Sequence, residues 1–295
     1  MSQDSELTAD AAPEEALWQF MQRAERELAK GRVLLPSWSK VTERARTALA
    51  APDVDNEALA RLLGAEAGLA VRVLTIANSA LFMRGGRPLS DLKLAILRIG
   101  HDNLRSAVYA HALMQLRQAP KLLRQRPVLQ QLWRESTAVA ALARLVVLRT
   151  GQGDADAALL AGLLHNIGKL YLYVRCDLEG IDTRADPTFI ALLTVWHARI
   201  GSAVARNWQM SEGLCRAVAT QDLLDGAADG AAEPLAAALA AAIIGTASAV
   251  DSAQREQTAV HLAAFSRFGL EAQAWRELLA QAHAESTALR VMFGD

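Results

Sequence analysis

The chain has 295 residues, 52% of them hydrophobic and 5% aromatic, and its 31 basic side chains nearly balance 32 acidic ones. That balance gives no global field toward nucleic acid or an anionic membrane, so either partner would need a local patch. Cys176 and Cys215 lie far apart, fit neither a zinc knuckle nor a disulfide framework, and read as reduced, buried thiols of a cytoplasmic protein.

Alanine supplies much of the hydrophobic fraction. Long stretches combine Ala, Leu, Glu, Gln and Arg, the strong helix formers, with few runs of Val, Ile, Thr or Tyr. An all-α fold is expected.

Residues 1–12 are small, polar and acidic, read as disordered, and lack the positive start and apolar core of a signal peptide. A helix over 13–32 follows, with Leu17, Phe20, Met21, Ala24 and Leu28 on one apolar stripe and Gly31 as its stop. Val33-Leu34-Leu35-Pro36 reads as an extended anchor, because proline disfavours a helical residue before it. A helix is then predicted from Ser37 until before Pro52.

Asp55 or Asn56 caps a short helix stopped by Gly64, and an apolar helix covers 66–77. Asn78 reads as a helix-end cap, since asparagine tolerates left-handed geometry. After the loop Gly85-Gly86-Arg87-Pro88, Ser90 caps a helix that Gly100 closes. Asp102 caps another, striped by Leu104, Ala107, Val108, His111 and Met114. Pro120 and Pro127 bracket a basic segment, KLLRQR, as a hinge or exposed surface element.

One long helix spans 128–150 before Gly151-Gln152-Gly153, and Asp154 or Asp156 caps the next. Asp186-Pro187 starts a helix to about Trp208, and Ser211-Glu212 starts one ending near Gly226. Residues 226–233 are the linker candidate before an alanine-rich helix to about Ala253. Its uncharged run, 235–250, would span roughly 24 Å at the α-helical rise. That falls short of a hydrocarbon core of roughly 30 Å, so a buried helix is expected rather than a membrane span. A final amphipathic helix covers 271–291, past a break at Gly269.

The stretch LLAGLLHNIGKLYLYV, residues 159–174, is nearly uncharged but carries His165 and Asn166 at its centre. Unpaired buried polar groups cost about 1–3 kcal/mol each, so this pair must be hydrogen-bonded, metal-bound or beside a cavity. Either it is a residual metal or phosphate site, or it is a satisfied pair tying two helices together through backbone carbonyls and a buried water. The Gly168-Lys169 step after it lets the backbone approach a neighbouring helix.

Six pieces in order, VLLPSWSKV, LLGAEAGLAVRVLTIANSALF, LSDLKLAILRIGHDNLR, LWRESTAVA, ALLAGLLHNIGKL and WHARIGSAVARNW, resemble the HDOD family, the HD-related output domains of bacterial signalling proteins. Asn78, Ser79, Gly100, Gly162, His165 and Gly168 carry the signature. The resemblance implies a multi-helix HD-domain, phosphodiesterase-like bundle with an N-terminal helical subdomain. It places the HDOD domain at 33–226, and residues 227–295 become a helical extension packed on the same core.

Catalytic HD proteins hold a metal with a histidine, an adjacent histidine–aspartate pair and a later aspartate. By the resemblance the first histidine falls here at Glu135 and the pair at His165-Asn166, while the later place where further histidines often occur falls near Thr220-Gln221, without an imidazole, and His197 is retained. Asparagine is a far weaker divalent-cation ligand than a carboxylate, so the set reads as degenerate, with no cofactor or metal and no catalytic residue expected. Glu66-Ala67 also stands where the family usually has Asp-Pro. If Glu135 and His197 converge on His165 they would make a three-ligand site, for which Asp177 and Asp251 are unplaced candidate acids.

The implied role is a non-catalytic signal-transduction module that binds proteins such as a response regulator or a cyclic-dinucleotide enzyme. The competing reading is a metal-dependent phosphohydrolase with an atypical His/Asn/Glu site. Arg117, Lys121, Arg124, Arg126 and Arg134 form a basic run without interleaved aromatics, which argues against single-stranded nucleic acid and for an acidic protein surface. Core packing is the default for the six tryptophans, while Trp18 and Trp275 on the terminal helices are candidates for anchoring a partner or a second copy.

Overall fold

The computed structural model describes residues 11–32, 39–51, 53–83, 86–181, 183, 186–222, 233–247 and 268–293. They form α1 (Ala11–Ala29), α2 (Lys40–Leu49), α3 (Asn56–Gly64), α4 (Ala67–Ala77), α5 (Ala80–Met83) and α6 (Leu92–Gln118). After a 3-10 turn (Pro120–Gln125) come α7 (Arg126–Thr150), α8 (Ala155–Leu164), α9 (Ile167–Leu178), α10 (Pro187–Asn207), α11 (Glu212–Ala219), α12 (Pro234–Thr246) and α13 (Ala272–Phe293). No strand occurs among the described residues, so the chain is all-α.

Local chemistry explains most helix starts. Asp55, Asp154, Asp186 and Ser211 each accept a backbone N–H from the first turn of the helix they precede. Two caps differ from expectation. Asp91 rather than Ser90 caps α6, its carboxylate accepting from Leu94 N at 2.8 Å, and Ser39 rather than Ser37 caps α2, accepting from Thr42 N. Gly100 breaks α6 with φ +76 and ψ 166, a conformation essentially reserved for glycine. Helix α11 stops at Ala219, earlier than expected, while the 226–232 linker, the 33–36 anchor, Ser37, Trp38, the 1–10 tail and the 248–253 helix end lie outside the described residues.

The apolar stripes dictate the layers. Helices α2, α3 and α4 pack on α6, and α8 lies between α7, α6 and α12. Helices α12 and α13 both cover α7. The stripe of α1 (Leu17, Phe20, Met21, Ala24, Leu28) is fully used against α10. Its polar edge is held by Arg175 of α9, which pairs with Glu27 at 2.6 Å and Glu179 at 2.5 Å, and Arg23 reaches Glu179 as well. Residues 155–178 and 187–207 are long and apolar enough to cross a membrane, but 89% of the first window is buried inside the fold and it breaks at His165-Asn166.

A charged cluster joins α2, α4 and α6. Glu66 Oε1 accepts from His111 Nε2 (2.9 Å) and Gln115 Nε2 (2.6 Å), and Oε2 accepts from Ser39 Oγ. Arg72 Nε donates to His111 Nδ1 at 3.3 Å, which fixes the imidazole proton on Nε2. Burial lowers the pKa of His111 against the pull of Glu66, so it relays between the carboxylate and the guanidinium as a neutral ring.

Candidate functional site

The 159–174 stretch folds as two helices with a break at its polar pair. His165 ends α8 and Asn166 opens α9. Two glycines bring neighbouring helices up to this break. A Cβ on Gly162 would stand 2.5 Å from Ala140 N of α7. One on Gly168 would overlap the His197 carbonyl oxygen and sit 2.7 Å from Gly201 N of α10. These crossings bring α7, which carries Glu135, and α10, which carries His197, against the two helices that flank the pair.

His165 is buried, and its Nδ1 lies 2.7 Å from the Gly162 carbonyl oxygen. A carbonyl only accepts, so Nδ1 carries the proton and Nε2 keeps a lone pair. Desolvation holds its pKa at about 3, opposed by the Gly162 hydrogen bond and reinforced by the nearby charges of Lys169 and His197. The ring is neutral.

Asn166 Nδ2 donates to Glu135 Oε2 at 3.3 Å, while Gln131 holds the other Glu135 oxygen at 3.0 Å. His197 Nε2 pairs with Asp222 Oδ2 at 3.0 Å. Burial pushes the Asp222 carboxyl up, but the His197 hydrogen bond, the neighbouring His197 and the Lys169 charge outweigh it and keep the pKa low. Gln221 Nε2 donates to the His165 carbonyl at 3.0 Å, closing α11 onto the break. Asn166 Oδ1, Gln221 Oε1 and His197 Nδ1 are buried without a protein partner.

Glu135, His165, Asn166, His197 and Gln221 thus share one neighbourhood, but as two pairs and a strut. Glu135 meets Asn166, His197 meets Asp222, and His165 turns to its own helix. Asp177 lies at the far end of α9, and Asp251 lies outside the described residues. Asp222 is the carboxylate that the sequence reading missed, and its only signal was standing directly after Gln221. Among the described residues, no three His, Cys, Asp or Glu side chains converge as a metal cage. The central position holds an amide donating an N–H, so the donor set does not fit the divalent cation of a catalytic HD centre.

Asn78 is not left-handed, with φ −95 and ψ 2. Its amide instead clamps the following loop, donating to Leu89 O and accepting from Leu89 N, both at 2.7 Å. Ser79 Oγ donates to Ile76 O at 2.7 Å. Asn78 therefore fixes the α4 end against the 86–91 loop, while Ser79 closes the last turn of α4 itself. A tiny cavity of about 10 Å³, room for about one water, opens beside Asn166 between Leu129, Leu132, Trp133, Ser136 and Leu163.

A protein of Treponema pallidum (strain Nichols) without a described function is 27% identical over 194 residues, covering 61% of this chain and 36% of that protein. The chain therefore spans about a third of that curated relative's length. A candidate metal-dependent phosphohydrolase from Shewanella amazonensis SB2B superimposes with TM-score 0.67 at 24% identity, covering 92% of this chain and 99% of that one. A candidate signal-transduction protein from Marinobacter aquaeolei VT8 gives TM-score 0.60 at 18% identity, covering 96% and 66%. At these identities the likeness establishes the fold. The HDOD domain model matches residues 35–223, close to the span of the six motifs. The chain belongs to the HDOD domain family.

Proposed function

We propose that the chain is a non-catalytic signal-transduction module of the cytoplasm that acts by binding other proteins, with a degenerate HD site at its centre. The observation that carries this reading is the Asn166–Glu135 contact. In an HD enzyme that position supplies a carboxylate to the metal, whereas here a neutral amide spends its N–H on a neighbouring glutamate. Response regulators and cyclic-dinucleotide enzymes are the partner classes in view, and α12 and α13 act as a helical extension of the same body.

One observation favours the other reading, a phosphohydrolase. His197 Nε2 and Asp222 Oδ2 are paired near His165, whose Nε2 keeps its lone pair. The test is metal analysis of the purified chain joined to turnover assays on nucleotides and cyclic dinucleotides, with His165→Ala as the control. No stoichiometric metal and no His165-dependent turnover is expected. One transition metal per chain with turnover lost on mutation would overturn the proposal.

A further inference from the structure

Residues 103–153 carry eight arginine or lysine side chains against one carboxylate, Glu135, in a chain whose net charge is −1. Three of those cations are neutralised: Arg105 by Asp102, Arg144 by Glu285 and Arg149 by Glu277. The last two pairs form where α13 covers the later half of α7. Arg124, Arg126 and Arg134 are exposed and make no ion pair among the described residues. Elsewhere the pattern is reversed, with Arg23, Arg61, Arg199, Arg206 and Arg216 each meeting a glutamate at the surface.

The geometry is fixed in advance. The 3-10 turn between α6 and α7 buries Leu122 and Gln125 and leaves Leu123 58% exposed between them. Leu123 is therefore held out by an anchored turn, next to Arg124 and Arg126, and Arg134 follows about 12 Å along α7 at the helical rise. The same turn packs on α9, and the α7 residues just beyond it, Leu129, Leu132 and Trp133, wall the cavity beside Asn166. An occupant here would lie along the start of α7, the helix that carries Glu135.

We infer that this face docks an acidic protein segment bearing an apolar side chain, with Leu123 as the apolar contact and Arg124, Arg126 and Arg134 as its charge partners. Charge complementarity selects an anion, and the exposed leucine selects a peptide over nucleic acid. The aromatic residue of this face, Trp133, is buried, so no ring is offered for base stacking. The inference rests on the reading of the chain as a protein-binding module and names the chemistry of its partner.

The test uses the full chain and a fluorescein-labelled peptide of glutamates with a leucine at every fourth residue, compared with a single-stranded oligonucleotide of equal charge. Anisotropy at low and physiological salt should show peptide binding that weakens as salt screens it. The triple variant R124E/R126E/R134E should weaken it about tenfold or more, and Leu123→Ser about threefold. Arg124→Gln alone, with its thermal melt, guards against a folding defect in the triple variant and should weaken binding about twofold. Undetectable peptide binding, an affinity indifferent to the arginines, or tighter binding of the oligonucleotide through the same arginines would each overturn the docking surface. None of these outcomes produces metal-dependent turnover, which is the separate result that would sink the functional proposal.

Discussion

Two buried polar clusters in this molecule use nearly the same residue types to different ends. At the α4–α6 cluster a carboxylate and a guanidinium face each other through a neutral imidazole, and both Glu66 oxygens are occupied by donors from Ser39, His111 and Gln115. At the α8–α9 break the central side chain is a neutral amide, and three acceptors, on Asn166, Gln221 and His197, lack a protein partner. A buried charge is strongly destabilising once a partner is lost, whereas a neutral amide beside a water-sized gap is tolerated. The first cluster holds a layer together, and the second only closes a gap between helices that the glycines already hold.

The largest expected effect tests that last statement. Gly168→Ala forces a methyl into the His197 carbonyl, and relief requires parting α9 from α10. It is expected to cost at least about 3 kcal/mol or to prevent folding. Gly180→Ala, at φ +74 with open space around it, is expected to cost about 1 kcal/mol from backbone strain alone. Urea unfolding of both variants checks the pair. Similar midpoints would mean that the crossing at Gly168 has room the geometry denies it.

Next in size is the charged cluster itself. Glu66→Ala leaves the His111 N–H and the Gln115 amide without their acceptor and removes the carboxylate that faces Arg72 through the imidazole, with an expected cost of about 3 kcal/mol. Asn166→Ala removes one long hydrogen bond and one unpaired oxygen together, with an expected cost of about 1 kcal/mol. Equal losses in denaturant melts would erase the distinction between the clusters.

The helices and their order were legible in the sequence because caps and glycines announce them locally. Asp55, Asp154, Asp186 and Ser211 needed nothing beyond their own first turns. What was illegible depended on contacts across the fold. Asn78 is the helix-end cap its chemistry suggests, but that its amide clamps Leu89, eleven residues on, is not written in any local pattern. The Glu66–His111–Arg72 relay joins residues 39 and 45 positions apart, and no periodicity pairs a buried acid with a histidine on another helix. At the candidate site, motif order brought Glu135, His165, Asn166, His197 and Gln221 into one neighbourhood. It did not say which would pair, and Asp222 entered only once α11 was seen closing on His165.

A smaller effect is pH dependence. His165 is neutral with a pKa of about 3 in the fold, while the unfolded chain offers an ordinary imidazole near 6.5. Between those values the unfolded state binds more protons, so stability falls as pH falls from about 6.5, by about 2 kcal/mol at about pH 5. His165→Gln should remove the His165 share of that slope, leaving the share that belongs to His111 and the loss at lower pH that belongs to the carboxylates. A wild-type melting curve flat down to about pH 5 would show that the ring is not held neutral.

The smallest effect is the most informative about the site's history. Asn166→Asp restores the carboxylate of the family's metal set, but opposite Glu135 Oε2 it replaces a donor by a second anion. Two ionised carboxylates at that distance repel, so one of them binds its proton more tightly in the folded state than in the unfolded chain. Stability should therefore fall as pH rises through the carboxylate range, opposite in sign to the His165 effect, with a deficit of about 1 kcal/mol at neutral pH. Differential melts of variant and wild type at about pH 5 and at neutral pH read this directly. Added manganese should leave the deficit in place, because His197 Nε2 remains tied to Asp222 and Glu135 stands where catalytic HD proteins carry a histidine. Full rescue by the metal, accompanied by phosphodiester turnover, would mean that the centre was a single carboxylate short of an enzyme.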